Sequence, residues 1–120
     1  MIPPVKIINK TQNTVIATNV NMADTFFSRM IGLLNRRELS SDEALVITRC
    51  QSIHMFFMRF AIDAIFVNDE NRVVGLVENI KPFQLSPIFF KASYVIEMCE
   101  GAIARTKIAM GDWIEVRENF

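Results

Sequence analysis

Seven short apolar runs, each bounded by polar or turn-forming residues, set the tightest limit on the fold of this chain: VKIIN, TVIATNV, ALVIT, IDAIFV, RVVGLVEN, SYVIEM and DWIEV. Runs of this length rich in Val and Ile suit a pleated, half-buried surface, so they predict strands. The polar Lys10, Thr11, Gln12 and Asn13 join the first two as an opening hairpin. Asn68, Asp69, Glu70 and Asn71 favour a turn and join IDAIFV to RVVGLVEN as a second hairpin. A turn over Ala109, Met110, Gly111 and Asp112 precedes the closing strand. Two segments have helical character. Phe26, Met30, Leu33 and Leu34 fall on one stripe, predicting a helix over about 24–31 that Asn21 or Asp24 caps and Gly32 ends; EGAIARTKI predicts a second, short one. The segment KPFQLSPIFFK, residues 81–91, holds two of the four prolines and no clean period. It reads as a loop with exposed aromatics, the kind that often borders a binding site. Together these features predict a compact α+β domain over residues 1–120: a mostly antiparallel sheet curling into a small barrel, with two short helices.

Charge and composition exclude some functions. Thirteen Lys and Arg balance thirteen Asp and Glu, which is unlike the basic footprint of a nucleic-acid binder. No apolar run approaches the roughly 20 residues of a spanning helix, and the start MIPPVKIINK lacks the pattern of a leader. A soluble, cytoplasmic protein with no membrane partner, monomeric or homodimeric, is the expectation. Cys50 and Cys99 fit neither a disulfide framework nor a CxxC motif and read as free thiols. With ten Phe in a chain that is 51% hydrophobic, apolar surface should be left over for a partner or a pocket.

The segment CQSIHMFFMRFAID, residues 50–63, places the only histidine, an arginine and an aspartate among apolar neighbours. On one straight strand Ser52 and His54 would face one side and Arg59 and Asp63 the other. A strand ending near Met58, a bend at Arg59, Phe60 and Ala61, and a new strand from Ile62 would let His54, Arg59 and Asp63 converge. Strand spacing separates Cys50 from His54 by roughly 13 Å and Ser52 from His54 by roughly 7 Å, too far for a nucleophile and its base. A zinc site from Cys50, His54 and Cys99 matches no common spacing, so neither metal nor cofactor is expected. Structural readings stand beside the functional ones. A lone histidine in an apolar strand is more often a hydrogen-bonded core or edge residue, and an Arg–Asp pair at a bend is more often a clamp. Arg36 and Arg37 read as a solvated turn that could attract an anion beside a cleft. Glu97 would point outward by strand alternation.

In this order the motifs resemble domain of unknown function 192, a bacterial and archaeal family. They are Arg29-x-x-Gly32-Leu33, Ser52-Ile53-His54, Phe57-Met58-Arg59-Phe60-x-Ile62-Asp63, Lys81-Pro82, Val95-Ile96-Glu97 with Gly101, and Gly111-Asp112. The resemblance implies a compact, strand-dominated domain, adds Arg29 and Glu97 to the candidate residues, and names no activity. The pattern usually has threonine, proline and proline where this chain has Met55, Ala61 and Cys99. The leading functional expectation is a binding domain: a cleft walled by Phe56, Phe57 and the 81–91 loop takes a small anionic molecule or peptide, with Ser52, His54, Arg59, Asp63, Arg29 and Glu97 as candidate contacts. The alternatives are a protein-interaction module built on exposed Phe and Met, and an enzyme in which His54 is the general acid or base, Asp63 orients it and Arg59 stabilises negative charge.

Overall fold

The computed structural model describes residues 5–23, 36 and 38–118. The helix expected over 24–31, with Arg29 and the Gly32 stop, lies outside the described residues. The elements are strands β1 (Val5–Asn9), β2 (Thr14–Ala17), β3 (Asn19–Ala23), β4 (Glu43–Thr48), β5 (Ile62–Asn68), β6 (Val73–Ile80) and β7 (Ala92–Cys99), helix α1 (Ala102–Thr106), and strand β8 (Ile114–Glu118). Both expected hairpins form, β1 with β2 and β5 with β6.

The strands make two sheets, ordered β2-β1-β8 and β3-β4-β7-β5-β6. The single curling sheet that was expected divides because the run TVIATNV breaks at Thr18. Up to Ala17 it pairs antiparallel with β1, and from Asn19 it pairs parallel with β4. The break is held by the Asp42 carbonyl, which accepts the N–H groups of both Thr18 (3.1 Å) and Asn19 (3.0 Å). The sheets touch at an isolated bridge between Arg72 and Trp113. No ladder continues from it, and closure requires continuous pairing around the ring, so among the described residues there is no closed barrel. Among the described residues there is one helix.

The five-stranded sheet is covered on both faces, which is why its strands read as near-continuous apolar runs. Along β5, Ile65 and Val67 join Ile7, Val46, Ile96, Met98 and Ile114 in a core between the sheets. Ile62, Ala64 and Phe66 join Leu45, Ile47, Val95, Ile53, Met55 and Met58 in a second core on the opposite face. Glu97 alternates with Ile96 and Met98 on the central strand β7 and is fully buried rather than outward-facing. Alternation puts a residue outside only where one sheet face meets water, and around Glu97 on β7 neither does.

The turn before β8 explains the Gly111-Asp112 pair. Gly111 has φ 86°, a left-handed value that only glycine adopts without strain. Asp112 Oδ2 then accepts from Asn9 Nδ2 (2.8 Å), Gln12 Nε2 (2.8 Å) and the Ala109 N–H (3.0 Å). The first and last turns are thereby locked together.

Candidate binding site

Residues 50–61 form neither a strand nor a helix; their one strand-like contact is the bridge between His54 and Leu85. They run antiparallel to residues 83–93 through backbone bonds from Met55 N to Gln84 O (2.9 Å), Phe83 N to Met55 O (2.8 Å), Ser86 N to Ile53 O (2.9 Å), Phe89 N to Gln51 O (2.8 Å) and Cys50 N to Ser93 O (3.2 Å). The result is an irregular ribbon lying across the second core. Pro82 and Pro87 have no N–H to give to a ladder, which limits the pairing. The strand expected up to Met58 is therefore a turn, closed by Met58 N to Met55 O (3.2 Å). The bend at Arg59 and Phe60 and the new strand from Ile62 are as expected.

Ile53, Met55 and Met58 anchor the ribbon from below. Phe89 anchors its other limb, with its ring 4.5 Å from that of Phe66. Gly75 pairs with Phe66 across β5 and β6, and a Cβ on it would overlap the Phe89 ring. The glycine is a seat for the aromatic anchor.

The structure does not bring His54, Arg59 and Asp63 together. Asp63 is fully buried with Ile65 and Val67 on the inter-sheet face, whereas the residues flanking His54 pack on the opposite face. The Asp63 carboxylate is committed to backbone. Oδ1 accepts the N–H of Asn79 (2.8 Å) and Oδ2 that of Ile103 (2.8 Å). Asn79 sits in the left-handed region (φ 52°) within an irregularity of the β5–β6 register, and Ile103 is in the first turn of α1, whose own N-cap, Gly101, supplies no side-chain bond. Asp63 thus satisfies a bulge and a helix start at once. The arrangement in which it orients His54 is overturned, since the sheet stands between them.

His54 is half-buried, its ring 4.7 Å from that of Phe56, and its Nδ1 accepts the Phe56 N–H at 3.3 Å. An accepting Nδ1 assigns the proton of the neutral ring to Nε2. Arg59 and Ser52 are exposed. Arg29 lies outside the described residues. Among the described residues Cys50 and Cys99 form no disulfide, and the Cys50 thiol donates to the Ser52 carbonyl at 3.0 Å. Among the described residues no three His, Cys, Asp or Glu side chains cluster as a metal site would require. Arg36, read as a solvated turn, pairs with Glu43 at 2.7 Å.

The ribbon exposes a set of large apolar side chains among polar ones. Phe57, Phe83, Leu85 and Phe90 are between 64 and 78% exposed, with Phe56 and Ile88 beside them. Phe57 (φ 68°) and Phe83 (φ 69°) have left-handed backbones, which cost a bulky side chain about 1–2 kcal/mol where glycine or asparagine would be favoured. The Met55 carbonyl closes the turn that carries Phe57 and also accepts the Phe83 N–H, while the turn that carries Phe83 is closed by the Gln84 N–H on the Lys81 carbonyl at 3.1 Å. Arg49, Arg59, Lys81 and Lys91 border the ribbon, all exposed, and neither 49–61 nor 81–91 contains an Asp or Glu. All 13 carboxylate side chains of a neutral chain lie elsewhere. That partition was legible in the sequence and was missed because charge was weighed over the whole chain. The left-handed phenylalanines carried no sequence signal.

A second opening, a groove of about 420 Å³, lies between β8 and β3–β4, lined by Met22, Val46, Tyr94, Trp113, Ile114 and Val116 among others. Its polar groups engage one another. Tyr94 donates to Asn71 Oδ1 at 2.9 Å, and burial pushes its phenol up to about 12. Lys10 and Arg72 lie over the Trp113 ring at 5.9 and 5.6 Å, and Lys10 is 3.6 Å from Glu115.

The fold and the motifs define a class that the comparisons with known proteins make definite. Residues 7–116 match the family model DUF192, described as Uncharacterized ACR, COG1430. The chain belongs to this family. A UPF0127 protein of Thermococcus sibiricus is 35% identical over 113 residues, covering 91% of this chain and 73% of the relative. A UPF0127 protein of Pyrococcus furiosus is 34% identical over 111 residues, covering 90% and 95%. In structure the chain is similar to a protein of unknown function from Novosphingobium aromaticivorans, with a TM-score of 0.78 and 26% identity over 93% of this chain and 83% of that one. Among the described residues no helix is long and apolar enough to cross a membrane.

Proposed function

We propose that this domain is a binding module whose recognition face is the ribbon of residues 50–61 and 81–91, and that its ligand is anionic and partly apolar. One observation carries the reading: four exposed cations border a set of exposed apolar side chains, and no carboxylate lies within either segment. Such a face attracts negative charge over a distance and rewards apolar contact once the ligand arrives. Arg59 and His54 are the side chains that fix the anionic group, since both lie on the ribbon near Phe56 and Phe57.

A second copy of the chain suits this face less well. A two-fold contact would set each cationic border against its own likeness, which opposes association. The test is a thermal-shift and calorimetric screen of small phosphorylated and carboxylated molecules and acidic peptides, with His54→Ala and Arg59→Ala controls. Hits whose effect is lost in the controls support the reading. Hits indifferent to both substitutions, or an absence of hits across soluble and particulate anions, overturn it.

A further inference from the structure

We infer that the partner of this face is an anionic lipid surface, into which the tips of the ribbon insert. The inference rests on the reading of the ribbon as an anion-binding face and names its partner.

Four features point to lipid. First, the exposed apolar side chains are hydrocarbon to their ends: Phe56, Phe57, Phe83, Phe90, Leu85 and Ile88. Second, Phe57 and Phe83 stand at turns in the left-handed region. A bulky apolar side chain is an expensive choice at a solvent-exposed left-handed position, and it is compensated if the ring leaves water on binding.

Third, Met55 N and O, Ile53 O and Gln51 O all bond to the 83–89 limb, so this inner edge of the segment is closed to strand addition. Fourth, the cations sit at the ends of the ribbon. Arg49 lines the same opening as Ala92 and Ser93, next to Lys91, while Arg59 and Lys81 flank the paired Ile62 and Ile80. Basic residues around apolar tips match the headgroup layer around a shallow insertion.

The experiment is co-sedimentation of the full chain with vesicles of phosphatidylcholine alone and of phosphatidylcholine with phosphatidylglycerol, at low and high salt. The wild-type chain should pellet with the anionic vesicles, be released by salt, and ignore the neutral ones. The double variant Phe57→Asn/Phe83→Asn should lose affinity by about thirty-fold, the scale of two withdrawn rings, while melting no lower than wild type because asparagine tolerates left-handed backbone. Arg59→Gln/Lys81→Gln changes only exposed side-chain charge, each two residues from a strained position, and should weaken anionic-vesicle binding without altering the fold. Equal binding to neutral vesicles, or binding untouched by both variants, overturns the inference. If vesicles are ignored while an acidic peptide or a soluble phosphorylated molecule still binds through His54 and Arg59, the lipid partner falls and the anion-binding face stands. If neither binds, both fall.

Discussion

Phe83 donates its backbone N–H to the Met55 carbonyl at 2.8 Å, and the same oxygen closes the turn that carries Phe57. One acceptor therefore holds two left-handed phenylalanines on adjacent turns, at φ 68° and 69°. Replacing either by asparagine or glycine relieves backbone strain without removing a buried ring. Phe57→Asn and Phe83→Asn should each stabilise the domain by about 0.5–1 kcal/mol in chemical denaturation. A loss of stability of that size would mean the rings contribute to packing.

Gly75 is the seat of Phe89, and any Cβ there collides with the ring. Gly75→Ala should destabilise the domain by about 1–3 kcal/mol through overpacking. It should also loosen the 83–91 limb more than the β5–β6 ladder. Amide exchange at Phe89 and Ser86, compared with Ile65 and Phe66, reads the difference. Uniform loosening would refute the anchoring role.

Asp63 joins the β6 irregularity to the start of α1 with one oxygen on each. Asp63→Asn keeps one acceptor and places a donor opposite an N–H. It should cost about 1–3 kcal/mol, and Asp63→Ala at least as much, because buried N–H groups are left unsatisfied. Urea midpoints measure this. Ligand binding by any Asp63 variant that still folds should be unchanged, since the residue faces away from the ribbon.

The Arg36 guanidinium beside Glu43, helped by the Ser40 N–H at 3.1 Å, holds the Glu43 carboxyl down to about 2 against an ordinary 4.5. A folded value below the unfolded one means that the carboxylate stabilises the fold above about pH 4.5, and that this contribution fades as pH falls towards 2. Glu43→Gln should flatten the decline in stability between those limits. An identical pH profile in wild type and variant would contradict the assignment.

Most strands were legible along the chain because the central strands of the large sheet are buried on both faces, so runs such as IDAIFVN and SYVIEM carry a strong apolar signal whichever way they face. The same burial concealed the facing of Glu97, whose alternation implies exposure only in a one-sided sheet. Thr18 is an unremarkable residue, and the switch of sheets there depends on the distant Asp42 carbonyl. The bend at Arg59 could be anticipated from local chemistry. The destination of Asp63 could not, because its partners, Asn79 and Ile103, are fixed by the β6 irregularity and by a helix forty residues downstream. The polar residues of 50–63 thus divide between two roles: Asp63 braces the inter-sheet side, and His54 and Arg59 stand on the ribbon.

Amide exchange of the full chain with and without anionic phosphatidylglycerol vesicles tests the central claim most directly. The account predicts added protection confined to residues 50–61 and 81–91, strongest around Phe57, Phe83 and Leu85, with the Trp113 groove unchanged. Protection centred instead on Met22, Tyr94 and Trp113 to Val116, or absent from the ribbon altogether, would contradict it.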